Sequence, residues 1–253
     1  MRGVFVTGTD TNCGKTEISL ALMAAWQTRG ARVLGMKPVA CGCDPSPQGP
    51  RNADALRLLA QGSAAAPYDL VNPYAFSPPI APHIAAARAG VEITLDPIVG
   101  AYRALSAGCD LLVVEGVGGW RVPLSSTLSV NDIPTALDLP VILVVGLKLG
   151  CLNHALLTAE SIRAQGRPLA GWIANGIDPE LQAGDENIAT LAALLDAPCL
   201  GVIPWLERPV PEALAGFLHF EFLERPDGAN DAAWPWIPAS WRKGRTHSVG
   251  TGQ

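Results

Sequence analysis

A glycine, a lysine and a threonine near the N-terminus occur together at a spacing that suits phosphate binding. Residues 8–16 read GTDTNCGKT, which places Lys15 and Thr16 directly after Gly14. In such a loop, backbone N–H groups and the following helix hold an anion, the lysine reaches the terminal phosphates and the threonine hydroxyl binds Mg²⁺. Gly8 lies one residue further from Gly14 than in the common pattern. The alternative is a tight strand-to-helix turn in which the Lys-Thr pair occurs by chance.

Three further charged residues stand at the ends of predicted elements. Lys37 lies near the end of a strand, where a buried ammonium needs an anion beside it; the alternative is a solvent-exposed lysine on an edge strand. Glu115 ends the apolar run DLLVVE, and a carboxylate at such a strand tip often holds Mg²⁺ beside a phosphate loop. Asp54 is ambiguous, because a carboxylate is also a favourable residue at a helix start.

Alternating apolar strands and helical patterns over residues 4–206 must position these side chains. We expect strands at residues 4–6, 32–39, 110–115, 140–146, 169–174 and 199–203, and helices after most of them. Residues 72–82 contain four prolines and are expected to form an irregular connection. A further helix is expected to begin with Asn153 as its N-cap, where free N–H groups could hold a carboxylate or a phosphate. The pattern predicts an α/β fold of the phosphate-loop NTPase type, a mostly parallel central sheet with helices on both faces.

The length and the composition favour one domain with a polar tail. The chain has 253 residues, of which 49% are hydrophobic, so residues 1–224 can form a single domain with a large core. Residues 225–253 are rich in Pro, Gly and Ala without periodicity, and we expect them to be mostly disordered.

The net charge, the apolar runs and the cysteines indicate which partners and which cellular compartment to expect. The net charge is −5 and no basic stripe occurs, which argues against nucleic acid. No apolar run reaches transmembrane length and no cationic leader precedes the first strand, so we expect a cytoplasmic protein without a membrane segment. The six scattered cysteines are expected to be reduced thiols, mostly packed in the core.

Together with the phosphate loop, several segments resemble the dethiobiotin synthetase family. They read GMKPVACG, RNADAL, VNPYAF with PPIAPH, VVEGVGGW, PVILVVGLKLGCLNHALLTAESI, GWIANGI and GVIPWL, and they occur in the family's order up to about residue 206. The resemblance implies a homodimer with shared active sites and an ATP-dependent ligase reaction. In that reaction CO₂ adds to diaminopelargonate as a carbamate, MgATP phosphorylates the carbamate, and the second amine closes the ureido ring.

The resemblance also implies roles for individual residues. It assigns the catalytic contacts to Lys37, Lys15 and Thr11. It assigns Mg²⁺ to Thr16, Asp54 and Glu115, and so favours a metal-binding Asp54 over a simple helix-start residue. Nucleotide binding is assigned to Asn12, Cys13, Gly14, Lys15, Thr16, Glu17, Asp54, Glu115, Gly116, Val117, Gly118, Asn175, Gly176, Pro204, Trp205 and Leu206. Substrate binding is assigned to Thr11, Lys37, Cys41, Gly118, Gly150, Cys151 and Asn153, the last three from the partner subunit.

Some positions depart from the family pattern. Cys41 stands where relatives commonly carry Ser, Asn12 replaces a Glu, and Asn187 falls where some members have a Tyr that contacts substrate. These departures concern substrate affinity more than the type of reaction. For Trp205, the alternative to an adenine contact is surface packing.

Two other classes of protein compete with the ligase interpretation. A partitioning-type ATPase switch would carry a further lysine early in the loop, and residues 8–10 offer none. A ligase of the cobyrinate or CTP synthase kind would need a glutamine-hydrolysing domain, for which this sequence has no room.

Overall fold

A six-stranded parallel sheet forms the centre of the protein. The computed structural model describes residues 3–219, so the predicted tail at 225–253 lies outside the described residues. The sheet contains β1 (Gly3–Gly8), β2 (Val33–Met36), β5 (Leu111–Glu115), β6 (Val141–Leu147), β7 (Leu169–Gly176) and β8 (Cys199–Ile203). Its order is β2-β5-β1-β6-β7-β8, and every neighbouring pair is parallel.

Helices connect the strands and cover both faces of the sheet. They are α1 (Lys15–Thr28), α2 (Ala53–Gln61), α3 (Tyr68–Val71), α4 (Pro82–Ala89), α5 (Leu95–Ser106), α6 (Asp132–Ala136), α7 (Cys151–Ala164), α8 (Gly184–Leu194) and α9 (Pro211–Ala215). Within residues 3–219, no helix combines the length and the apolar character needed to cross a bilayer.

Alternate residues of the central strand belong to different parts of the core. Val4 and Val6 pack in one cluster with Ile18 and Leu22 of α1, whereas Phe5 packs in another with Ile98 of α5. Side chains of a strand point alternately to opposite faces, so a helical layer covers each side. The predicted α/β fold with a mostly parallel sheet and helices on both faces is therefore confirmed.

The sheet order brings the predicted site elements to one edge. β1 lies between β5 and β6, and Val6 of β1 is paired with Glu115 of β5. The carboxyl ends of parallel strands open onto the ligand crevice of such a sheet. The phosphate loop after β1 and the carboxylate that ends β5 therefore lie side by side.

Three predictions about elements were wrong or incomplete. The predicted strand at residues 32–39 is interrupted after Met36, and its second part, β3 (Val39–Cys41), leaves the central sheet. β3 pairs in parallel with β4 (Tyr74–Phe76), a strand inside the connection that was expected to be irregular. Asn153 is not the N-cap of α7: Gly150 is, with φ 91°, and Asn153 lies within the first turn. The positive φ of a glycine makes the turn there, and no side chain caps the helix.

Candidate active site

A cleft of about 480 Å³ opens at the carboxyl edge of the sheet. The phosphate loop forms one wall and the start of α2 forms another. Its lining residues are Thr11, Asn12, Gly14, Lys15, Thr16, Glu17, Lys37, Cys41, Asn52, Asp54, Arg57, Glu115, Val117 and Gly118.

The phosphate loop is held in place by backbone and side-chain contacts. The Thr9 N–H donates to the Val144 carbonyl at 3.0 Å, which ties the start of the loop to β6. Gly14 is the N-cap of α1 with φ 89°, and no side chain caps this helix. The buried Lys15 folds back over the loop, with Nζ donating to the Asp10 carbonyl at 2.9 Å. An uncapped helix N-terminus beside a lysine is the arrangement that binds phosphate.

Lys37 lies on the floor of the cleft between two carboxylates. Its Nζ is 2.6 Å from Asp54 Oδ2 and 2.6 Å from Glu115 Oε1. The side chain is buried, as is that of Glu115, whereas Asp54 is partly exposed. Lys37 follows β2, and its backbone carbonyl accepts from Asn72 Nδ2 at 2.7 Å. The structure therefore places Lys37 in the buried, ion-paired environment and not in the solvent-exposed alternative.

Burial and neighbouring charges act in opposite directions on the pKa values of Lys37 and Asp54. Burial lowers the pKa of Lys37, but the nearby Glu115 and Asp54 carboxylates outweigh it, and the pKa is raised above the ordinary value. Burial likewise raises the pKa of Asp54, and the Lys37 charge and hydrogen bond bring the pKa below normal. Both groups are consequently ionised at neutral pH, so Lys37 acts through its positive charge.

Three oxygen-bearing side chains around Lys37 have the chemistry of a Mg²⁺ site. Thr16 Oγ1 donates to Glu115 Oε1 at 2.8 Å, and the Lys37 ammonium is within hydrogen-bond distance of both carboxylates. Glu115 Oε2 is buried and has no hydrogen-bond partner among the described residues. Hard oxygen donors that already surround one positive charge fit a magnesium ion. Two of the three side chains are carboxylates. Within residues 3–219, no cluster of three or more His, Cys, Asp and Glu side chains suited to a metal occurs.

The wall of the cleft also contains predicted substrate contacts. Thr11, Cys41 and Gly118 line it together with Val117. Gly118 has φ 63°, and a Cβ there would approach Val122 Cγ2 to 2.8 Å, so only glycine fits. Burial, with a smaller effect from Cys43, raises the pKa of the Cys41 thiol to about 11. Cys41 therefore presents a protonated thiol, which is a weak hydrogen-bond donor.

The residues predicted to contact adenine form a continuous group beside the phosphate loop. Asn175 Nδ2 donates to the Cys13 carbonyl at 3.0 Å, inside the protein. A Cβ added at Gly176 would come within 2.6 Å of the Trp205 backbone nitrogen, so these two segments are in close contact. Trp205 is 47% exposed, and Pro204 and Leu206 are also on the surface. The group can accept a planar ring at its exposed edge.

The start of α7 does not line this cleft. Gly150, Cys151 and Asn153, all predicted to contact substrate, are absent from its wall. Asn153 is exposed, and the neighbouring Leu149 is 95% exposed. Within one chain, the structure therefore brings together the residues predicted to bind metal and most of the phosphate loop, but not these three.

Two lining residues were not predicted. Asn52 caps α2 by accepting the Ala55 N–H, and Arg57 lies one helical turn after Asp54. Positions three apart share one face of a helix, so the spacing from Asp54 could have identified Arg57.

A second cavity, of about 420 Å³, lies between residues 121–132 and the C-terminal half of α7. Its wall combines Arg121 and Asp132 with hydroxyl and amide side chains. It contains neither the phosphate loop nor the lysine and carboxylate cluster, so the first cleft is the candidate active site.

Comparison with known proteins gives consistent matches in sequence and in fold. A family model described as an AAA domain matches residues 2–213. The ATP-dependent dethiobiotin synthetase of Pseudomonas aeruginosa (strain UCBPP-PA14) is 52% identical over 224 residues, which cover 88% of this chain and 98% of that protein. The enzyme of the same name from Xanthomonas oryzae pv. oryzae (strain PXO99A) is 52% identical over 211 residues, which cover 83% of this chain and 93% of that protein.

Solved structures resemble this chain more distantly. The septum site-determining protein MinD of Pyrococcus horikoshii OT3, complexed with Mg-ADP, has a TM-score of 0.50 at 18% identity and covers 90% of this chain and 91% of its own. The MinD cell division protein of Aquifex aeolicus has a TM-score of 0.51 at 15% identity and covers 85% of this chain and 87% of its own. At such identities the likeness shows the fold alone.

Proposed function

The chain belongs to the ATP-dependent dethiobiotin synthetase family, and on that basis we propose its substrates and its mechanism. Its activity is that of an ATP-dependent ligase that forms the ureido ring. The proposed substrates are 7,8-diaminopelargonate, CO₂ and ATP, and the proposed products are dethiobiotin, ADP and phosphate. Residues 1–224 are the proposed catalytic domain.

The proposed reaction has three steps. One amine of the diamine attacks CO₂ and loses a proton, which gives a carbamate. The carbamate oxygen then attacks the γ-phosphorus of ATP, and ADP leaves, which gives a carbamic-phosphoric anhydride. The second amine attacks the carbamate carbon and loses a proton, the ring closes, and phosphate leaves with the oxygen that it had bonded. No covalent bond to the enzyme is required.

The observation that carries this proposal is the charged cluster on the floor of the cleft. Lys37 stays positively charged beside Glu115 and Asp54, and Lys15 lies over the phosphate loop. Phosphoryl transfer requires positioning and neutralisation of charge more than a nucleophile of the protein. In the proposed mechanism Lys15 binds the phosphates, Lys37 stabilises the carbamate and the transferred group, and Thr11 contacts both. A Mg²⁺ ion held by Thr16, Asp54 and Glu115 would neutralise the charge on the phosphate oxygens.

Adenine and the substrate carboxylate are assigned to two groups of residues that do not line the cleft. Asn175, Gly176 and residues 204–206 are the proposed adenine site, because Asn175 donates to the loop at Cys13 and the exposed residues 204–206 adjoin Gly176. The start of α7 is the proposed carboxylate site of the partner subunit. Two exposed leucines support a subunit interface there: Leu149 just before α7, and Leu157 on α7, which is 57% exposed.

Release of phosphate from ATP tests the proposed reaction. We expect release that depends on diaminopelargonate and on bicarbonate, because the carbamate is the phosphate acceptor. The assay omits each component in turn, and a Lys15→Ala variant purified in parallel corrects for contaminating ATPases. Strong hydrolysis with ATP and Mg²⁺ alone would instead favour an ATPase switch of the partitioning type.

A further inference from the structure

Glu17 and Arg57 form an ion pair across the mouth of the cleft. Arg57 Nη2 donates to Glu17 Oε2 at 2.8 Å, and Nη1 donates to Glu17 Oε1, so the contact has the two parallel bonds of a fork. Both side chains are only partly exposed, at 43% for Arg57 and 26% for Glu17. Paired bonds of this kind restrict the relative orientation of the two groups as well as their distance.

The positions of the two residues relate this pair to the proposed metal site. Glu17 directly follows Thr16 in the first turn of α1, and Arg57 lies one turn after Asp54 on α2. Thr16 and Asp54 are two of the three side chains proposed to hold Mg²⁺. The ion pair therefore connects the helix that carries one ligand with the helix that carries another.

A second contact joins the same two helices at their far ends. Gln27 Nε2 donates to the Gln61 carbonyl at 2.6 Å, and Gln61 Nε2 donates to Gln27 Oε1 at 2.9 Å. Neither glutamine lines the cleft. The far-end contact holds α1 and α2 together without approaching the proposed ligands, so it provides a matched control.

The charge of Arg57 belongs to the electrostatics of the site. Its hydrogen bond to Glu17 raises the pKa of the guanidinium, and the charges of Asp54 and Glu115 act in the same direction. A partly exposed ion pair contributes little to folding stability, so its role is better sought at the site than in stability.

We propose that Glu17 and Arg57 are a positioning pair that fixes the start of α2 against the start of α1. The pair sets the separation of the Thr16 hydroxyl and the Asp54 carboxylate, and so prepares both for Mg²⁺. The inference rests on the proposed function in one respect, namely the identity of the metal ligands. Unlike the nucleotide contact that the resemblance implies for Glu17, it assigns no direct contact with substrate to either residue.

The test compares nucleotide binding with and without metal. The affinity for a non-hydrolysable ATP analogue is measured by calorimetry, in Mg²⁺ and in EDTA, for wild type, Glu17→Gln, Arg57→Gln and the double variant. Loss of a residue that orients a metal ligand without binding the metal typically lowers metal affinity by about 10-fold or more. We therefore expect each single variant to lose about 10-fold of the Mg²⁺-dependent gain in affinity and to keep its affinity in EDTA. The double variant should be no worse than either single variant, because both remove one contact.

Two further variants separate positioning from stability and from charge. Gln27→Ala removes the far-end contact, and we expect it to keep the full Mg²⁺-dependent gain. Arg57→Lys keeps the charge but loses the fork, and we expect it to recover only part of the gain. A loss of gain in Gln27→Ala equal to that in Arg57→Gln would overturn the proposal in favour of general helix packing.

Other outcomes would assign a different role. If Arg57→Gln weakens binding in EDTA while Glu17→Gln does not, Arg57 contacts phosphate directly and the positioning role is wrong. Full retention of the gain in both single variants overturns this inference alone. A wild-type protein whose affinity does not respond to Mg²⁺ overturns the metal site of the proposed function, and the positioning role with it.

Discussion

At the scale of single residues, Lys37 shows how this protein keeps a charge in its interior. Removing an ammonium from water costs several kcal/mol, which a partner recovers only at short range. Lys37 has two such partners at 2.6 Å, Asp54 and Glu115. The lysine is therefore held as a fixed positive charge at the floor of the cleft, where it is suited to stabilise negative charge on a transferred group.

We predict that Lys37→Ala binds nucleotide but turns over slowly. Loss of one electrostatic stabiliser of a transition state typically lowers kcat by about 100-fold or more. Steady-state kinetics would measure kcat, and calorimetry with ADP and Mg²⁺ would measure binding. Thermal unfolding in Mg²⁺ is the control, since removal of one partner leaves Glu115 unpaired. Near-normal kcat in a folded variant would mean that Lys37 serves the structure only.

The residues of the cleft differ in how far the sequence could identify them. Lys15 and Thr16 were predicted from the phosphate-loop motif between a strand and a helix, and Glu115 was predicted from its place at the end of an apolar strand. Asp54 required the family resemblance, since a helix-start carboxylate has an equally good local explanation. Arg57 was not predicted, because its partner Glu17 is 40 residues away and its one local signal is the three-residue spacing from Asp54.

At the scale of elements, the phosphate loop depends on a glycine that also determines how closely β7 can approach. Gly14 has φ 89°, and a Cβ there would lie 2.0 Å from Asn175 Nδ2. Asn175 in turn donates to the Cys13 carbonyl. The loop, the start of α1 and the end of β7 therefore fit together only without a side chain at position 14.

We predict that Gly14→Ala weakens nucleotide binding more than its effect on stability explains. A non-glycine residue in the left-handed region costs about 1–2 kcal/mol, and the contact with Asn175 must also be relieved by moving the loop. Calorimetry should show ADP affinity lower by about 10-fold or more, equivalent to about 1.4 kcal/mol.

Gly30→Ala is the matched control for this prediction. Gly30 has φ 86°, but a Cβ there meets no atom within 4 Å. It should therefore lose comparable stability in thermal unfolding and keep wild-type ADP affinity. Equal affinities in the two variants would show that the contact with Asn175 has no effect on the site.

Errors at the element scale have local physical causes. β3 and β4 have three residues each and lie among prolines, so neither has a readable alternation. Asn153 was expected to cap α7 because its side chain is a good cap. The chain instead turns three residues earlier, at Gly150, and this backbone conformation leaves no trace in the hydrophobic pattern.

At the scale of the whole molecule, the cleft of one chain contains only part of the proposed site. The sheet order places the phosphate loop beside Glu115, and this arrangement follows from a fold that the sequence predicted. The start of α7 does not line this cleft, although Lys148 just before it pairs with Asp10 of the phosphate loop at 2.8 Å, and Leu149 is almost fully exposed. Which surface meets a partner is not encoded by strand and helix periodicity, so the shared site remains a proposal from the resemblance.

Mixed dimers test whether the active site is shared. If the start of α7 comes from the partner, a heterodimer of Lys37→Ala and Asn153→Ala subunits has one site with both defects and one with neither. Asn153 is exposed and lies in a helix, where alanine is well tolerated, so the variant should fold.

We predict that co-expression of the two inactive parents restores about a quarter of wild-type activity, because random pairing makes half of the dimers mixed and each has one intact site of two. Differently tagged subunits allow the mixed dimer to be purified and its activity measured per site. If Asn153→Ala retains partial activity, the comparison is with the average of the two parents. A purified heterodimer no more active than that average would mean that each site is built within a single chain.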